Sequence, residues 1–360
     1  MISTRFLLLA SLVLVGGIAC TGSNAQNKAG RDTDPVVHPW SENDTPVWDM
    51  AFLPDGKQLL SASDNGLILC DVKTGRIIRS MFNSPTSDKL VVSDDGKYVL
   101  ATGGGGIGLW EISTGEQISF LRNQQNTIHA MALSANKRLA LVAGNGRHED
   151  HFPVPTGFPH NLDLWDTEKQ EVIQDLSVRK YGAYSIALSR DGKLVLSTGF
   201  SDPQSKMYIV RLSDWQKEET VREFKVKDFG EVSFSRDEKL VYSVGNSFTA
   251  WDIETGALIH SLQNLGRKGW PIAFSPDKRY YITREFEAEG SPSWVTIWDL
   301  HTGKVVKEFE KGKPDRNVSK IIFSPNQKLI ALAGEHQLLQ VWNVESAKMV
   351  WDLRVLNGTR

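Results

Sequence analysis

Cysteine is nearly missing from this chain: 360 residues carry only Cys20 and Cys70. Two thiols so placed read as unpaired and do not fix a redox compartment. A large excess of charge of one sign is missing too. The formal net charge is −2, so no basic field points to nucleic acid. The signatures of common chemistry are also missing. There is no Gly-x-Ser-x-Gly nucleophile elbow, no phosphate loop ending in Gly-Lys-Ser/Thr and no Cys-x-x-Cys. Gly103 to Gly108 formally fits Gly-x-Gly-x-x-Gly. An apolar strand pattern ending at Trp110-Glu111 follows it, where a dinucleotide site needs a helix. It reads as a turn, and the chain reads as neither an enzyme nor a cofactor protein.

What the chain has is repetition. An apolar run ends at Phe52, Val92, Leu133, Leu188, Phe234, Phe274 and Phe323. Each is followed by a turn, a second apolar run and a closing pair. The pairs fall at Cys70-Asp71, Trp110-Glu111, Trp165-Asp166, Arg211-Leu212, Trp251-Asp252, Trp298-Asp299 and Trp342-Asn343. Turn signals such as Asp55-Gly56, Asp95-Gly96 and Asp191-Gly192 separate the runs, and alternating apolar residues around such turns make hairpins. Further turns after the pair, as at Thr74-Gly75 and Thr255-Gly256, add a fourth strand. Four antiparallel strands repeated every roughly 40–50 residues make propeller blades. The expected fold is all-β, a seven-bladed β-propeller over residues 35–360. Cys70, in a Trp slot, is expected to be a small buried hydrophobe.

On these motifs the chain resembles the WD40-repeat family across about residues 45–355. The Gly-His dipeptide that usually opens such a repeat is absent from every copy. The resemblance therefore implies blades held by apolar packing more than by an Asp-His-Ser-Trp network. It also implies a non-enzymatic, monomeric platform for a protein or peptide partner. Closure of the ring is expected from packing between blades one and seven, because residues 348–355 already supply an outer strand. Val36 to Trp40 can add only along that edge.

The N-terminus reads as an address. Arg5, the apolar run from Phe6 to Val15 and small residues up to Ala19 precede Cys20. This is a secretory pattern, too short for a membrane span. Ala19-Cys20 resembles the cleavage site of bacterial lipoproteins, although Gly17 stands where that family usually has Leu. The expected organisation is a signal peptide over 1–19, lipidation at Cys20, a polar tether over 20–34 and the propeller beyond. The resemblance implies a lipid-anchored protein facing the periplasm, with Thr21 favouring the outer membrane. Cleavage after Ala25, giving a soluble periplasmic protein, is the alternative.

Two sets of residues are candidates for function. The loops between blades and those between second and third strands share one rim, and the two longest insertions lie in the second class. One carries His148, His151 and His160, which could ligate a divalent metal. The other runs from Glu285 to Trp294. The position four before each first-run end holds Trp48, Asp88, His129, Tyr184, Gly230, Trp270 and Ser319. Aromatics there point to partner contacts at the channel mouth. The expected partner-binding residues are Trp48, His129, Tyr184, Trp270 and Trp294. A periplasmic propeller enzyme or metal-binding protein, using the mouth and the His-rich insertion, is the rival function.

Overall fold

The computed structural model describes residues 46–81, 89–103, 105–122, 127–145, 161–176, 183, 185–200, 208–227, 230–235, 237–245, 247–263, 269–286, 293–300, 302–309, 318–334 and 338–353. Within the unit 38–360 these form seven four-stranded sheets, each ordered as the chain runs. Every strand pair is antiparallel. The sheets are the blades of a β-propeller and span residues 47–81, 90–122, 127–175, 186–226, 231–262, 269–309 and 318–352. The first strand of each blade lies innermost.

Local sequence explains why each blade folds alike. A residue seven beyond each first-run end pairs with the Trp slot of the third strand: Leu59 with Cys70, Val99 with Trp110, Ala140 with Trp165. The same register gives Val241 with Trp251, Tyr281 with Trp298 and Ile330 with Trp342. In blade four Val195 pairs with Ser213. The slot there holds Ser213-Asp214, which corrects the expected Arg211-Leu212 by two residues. Asp214 does the work of the closing carboxylate, accepting from the backbone N–H of Gln216 and Lys217. Asp166 accepts likewise from Glu168 and Lys169, and Asp252 from Thr255. These are Asx turns that preset the step into the outer strand.

Seven buried apolar clusters hold the sheets, one at each junction between neighbouring blades. Blades two and three share Leu100, Ile107, Leu121, Met131 and Trp165, for example. Cys70 is fully buried, as expected, in the cluster that joins blade one to blade seven. Burial pushes its thiol up to about 12. That closing junction also has a buried hydrogen bond, from Trp351 Nε1 to the Val72 carbonyl at 2.8 Å. All four strands of blade seven come from residues 318–352. Residues 36–40 lie outside the described residues.

A second ring runs along the rim of the turns between first and second strands. One residue in each turn is left-handed: Gly56, Gly96, Lys137, Gly192, Glu238, Lys278 and Gln327. Each reaches back to the preceding blade. A Cβ on Gly56 would touch Pro325, one on Gly96 would press on Pro54, and one on Gly192 would meet Leu139 and Ser134. Lys137 lays its ammonium 3.7 Å from the centre of the Tyr98 ring. Glu238 Oε1 accepts from Arg190 N at 2.6 Å. Lys278 lies over Tyr242 at 5.5 Å, and Gln327 lies beside Asp277. All seven turns thus face the preceding blade in one sense around the ring, four of them through a side chain.

Candidate partner-binding rim and channel

Two bonds place the blade entries and the second-to-third-strand turns on one rim. Trp48, at the start of the inner strand Val47–Phe52, donates its indole N–H to Asp64 Oδ1 in that turn at 2.8 Å. Arg284, near the end of the second strand of blade six, donates to the carbonyl of Val318, where blade seven begins, at 2.6 Å.

The inner strands bulge near this rim. In blade one Val47 pairs with Ser63 and Asp49 with Ala62, so Trp48 is the extra residue. His129 is the extra residue in blade three and Ser319 in blade seven. A bulge re-aims the side chain it inserts. Trp48 is accordingly 42% exposed, while His129 is half-buried. Blade six differs. Trp270 pairs regularly with Arg284, and the irregularity falls between Pro271 and Ala273. Gly230 fills the position in blade five, where a Cβ would collide with the Val244 carbonyl at 1.7 Å. Asp88 and Tyr184 lie outside the described residues, as do His148, His151 and His160.

Trp294 does not stand on a loop. The hairpin strands of blade six run Tyr280–Phe286 and Ser293–Asp299, so the insertion is shorter than its sequence suggests. Trp294 is the second residue of the third strand and is 8% exposed. The pattern of acidic residues hid the strand extension. Among the described residues, no group of three or more His, Cys, Asp or Glu is placed to hold a metal ion.

The sequence reading missed the position one residue further in. It holds Asp49, Lys89, Ala130, Ser185, Glu231, Pro271 and Lys320. Asp49 Oδ2 accepts from Leu90 N of the next blade at 3.1 Å. Ser185 Oγ accepts from Val232 N of the next blade at 3.0 Å. Each caps an inner strand whose edge faces the channel. Lys320 reaches Asp49 Oδ1 at 3.3 Å, with side chains 32% and 8% exposed. That carboxylate is the main cause of a raised Lys320 pKa, and Glu231 adds to it. Below, a channel cavity of about 280 Å³ is lined by Glu231, Lys278 and Lys320 with apolar walls that include Phe274 and Ile321. Charged residues inside apolar runs were the available signal.

Comparison with known proteins agrees with this architecture. Residues 35–71 match the WD40 family, described as WD domain, G-beta repeat. The chain is similar to the WD repeat-containing protein SL1-17 of Schistosoma mansoni, 28% identical over 30% of this chain. It spans about half the length of that curated relative, 47%. Fold and repeat together define a seven-bladed β-propeller in which residues 35–71 match the WD40 repeat.

Proposed function

We propose that this protein is a non-enzymatic scaffold, anchored through a lipid on Cys20 at the periplasmic face of a bacterial envelope. Its protein or peptide partner docks on the rim that carries Trp48. One observation carries the rim: a large aromatic at a bulge, 42% exposed, with its indole N–H held by Asp64 at 2.8 Å. A fixed aromatic loses little entropy on binding, and Trp dominates interface hot spots. His129, on the bulge of blade three, extends the same surface, and the aligned sequence positions of blades four and six hold Tyr184 and Trp270. The anchor rests on the sequence before the propeller, where Arg5, the run from Phe6 to Val15 and Ala19-Cys20 form a lipoprotein-like exit. Thr21 after that cysteine, where an Asp would favour the inner membrane, favours the outer membrane.

Crosslinked capture from native envelopes tests the rim. Trp48→Ala is expected to weaken a specific partner by about 2 kcal/mol or more, roughly 30-fold. If Trp48→Ala and Trp270→Ala both retain every protein captured by the wild type, the rim is not the docking surface. Fractionation tests the anchor: Cys20→Ser should move the protein from membranes to the soluble fraction, and an unchanged distribution would refute lipidation.

A further inference from the structure

The channel cavity holds charges that the scaffold reading does not use. Three ionisable groups line it, Glu231, Lys278 and Lys320, and Asp49 pairs with the last. Asp49 and Lys320 satisfy each other at 3.3 Å, and Asp49 is further fixed by the N–H groups of Met50 and Leu90. That pair belongs to the closure of the ring. The other two are left over. Among the described residues, Lys278 has no ion pair. Its ammonium lies 5.5 Å from the Tyr242 ring centre and 5.8 Å from that of Phe274. Burial lowers its pKa, only partly countered by the charge of Glu231. Glu231 begins the inner strand of blade five, is exposed to the channel, and makes no ion pair among the described residues. One desolvated cation and one unpaired carboxylate thus face a cavity of about 280 Å³, whose remaining walls include Val232, Ala273, Phe274 and Ile321.

We propose that this cavity between blades five, six and seven binds a small zwitterion with an apolar side chain, an α-amino acid, its carboxylate on Lys278 and its ammonium on Glu231. The two protein charges are opposite and lie in different blades, so a ligand carrying both signs neutralises each without adding net charge. A simple anion would satisfy Lys278 and meet Glu231 repulsively; a simple cation would do the reverse. The volume admits a ligand the size of an amino acid, and Ala273, Phe274 and Ile321 offer its side chain an apolar contact. The site is separate from the exposed rim at Trp48.

Calorimetric titration of the purified full-length protein tests this with three probes: leucine, leucinamide, which lacks the carboxylate, and 4-methylpentanoate, which lacks the ammonium. Leucine is expected to bind saturably and at least 10-fold more tightly than either analogue. Lys278→Met should weaken leucine at least 10-fold. Glu231→Gln should weaken leucine and erase its advantage over 4-methylpentanoate. Because Lys278 also sits in the ring of turns, Glu231→Gln is the variant that leaves that ring untouched, and near-ultraviolet circular dichroism checks both. Absence of saturable leucine binding in the wild type would overturn the proposal. So would equal binding of 4-methylpentanoate, or wild-type affinity in folded Glu231→Gln.

Discussion

Replacing Gly96 by Ala should destabilise the propeller more than the same change at Gly56, although the two glycines occupy the same place in successive blades. Both have φ of +69°. A side chain in the left-handed region costs about 1–2 kcal/mol, and the smaller unfolded-state entropy of Ala offsets roughly 0.4–1 kcal/mol at both sites. The environments separate them. A Cβ at position 56 would lie 3.6 Å from Pro325 Cδ, an ordinary contact. At position 96 it would lie 2.9 Å from Pro54 Cδ and 3.5 Å from Cγ. Pro54 cannot swing aside, because its ring is closed on the backbone. Overpacking of this kind adds about 1–3 kcal/mol. The expected losses are therefore about 1 kcal/mol for Gly56→Ala and about 2–4 kcal/mol for Gly96→Ala. Lys137, Glu238, Lys278 and Gln327 hold the same backbone conformation with full side chains, so strain alone does not unfold the ring. Urea unfolding followed by circular dichroism, with unchanged denaturant slopes, gives both numbers. If Gly96→Ala loses no more than Gly56→Ala, the contact between successive turns is not a packing constraint and the reasoning fails.

Other outcomes follow from the same geometry. Trp351→Phe leaves the Val72 carbonyl without its donor across the closing junction and should cost about 1–3 kcal/mol; an unchanged urea midpoint would contradict this. Hydrogen bonds from Ser189 and Ser235 hold the carboxyls of Asp191 and Asp237 below the usual range. Their contribution to stability is present above the unfolded value, about 3.9, and is lost as pH falls through the lower folded values. The double change Asp191→Asn, Asp237→Asn keeps the turns, as Asn136 and Asn326 do in their blades. It should make the acid limb of thermal unfolding shallower. Asp49 holds Lys320 charged above its ordinary pKa. That contribution is complete below about pH 10.4 and is lost as pH rises through the folded value; Asp49→Asn should flatten the alkaline limb. Cys70, buried with its thiol pushed up to about 12, should react with a disulfide reagent only in denaturant. A native full-length protein that shows no fast thiol then also has Cys20 blocked, whereas one fast thiol would mean Cys20 is free.

The seven-fold repeat was legible because hairpin geometry fixes its spacing. Seven residues carry each inner strand's end to the partner of the Trp slot, so the slot recurs whether Trp, Cys70 or Ser213 fills it. Blade four was misplaced because its aromatic, Trp215, sits beyond the slot. Its indole N–H bonds the Gly192 carbonyl at 2.5 Å, and Asp214, not an aromatic, marks the register. The mouth column was legible in blades one, three and seven, where the extra residue of a bulge is the aligned residue. It was not legible in blade six, where the irregularity moves past Trp270. The channel charges were missed for a different reason. A charged residue inside a strand ordinarily faces solvent, and only the inward edge of a closed ring makes that solvent a cavity shared by several blades.

Among the described residues, the closing junction is built like the other six, with two polar contacts added. Blade one meets blade seven through a buried cluster, as every other pair of neighbours does. Gly56 reaches back to Pro325 as Gly96 reaches back to Pro54. Asp49 spans three blades, bonding Leu90 ahead of it and Lys320 behind it. A head-to-tail interface that repeats with a constant rotation either closes or grows without limit. Here, among the described residues, the parts that join blade n to blade n + 1 also join the seventh to the first, which is what closure by the repeat itself requires. The additions at that junction, Trp351 on Val72 and Lys320 on Asp49, are directional and polar. They fix the register of a contact whose affinity comes from apolar burial. Weakening them should therefore loosen the seam between blades one and seven before it melts the blades. Amide exchange in Trp351→Phe should rise first in the strands Val47–Phe52 and Met349–Asp352; a uniform rise across all blades would show that the seam is not a separate unit.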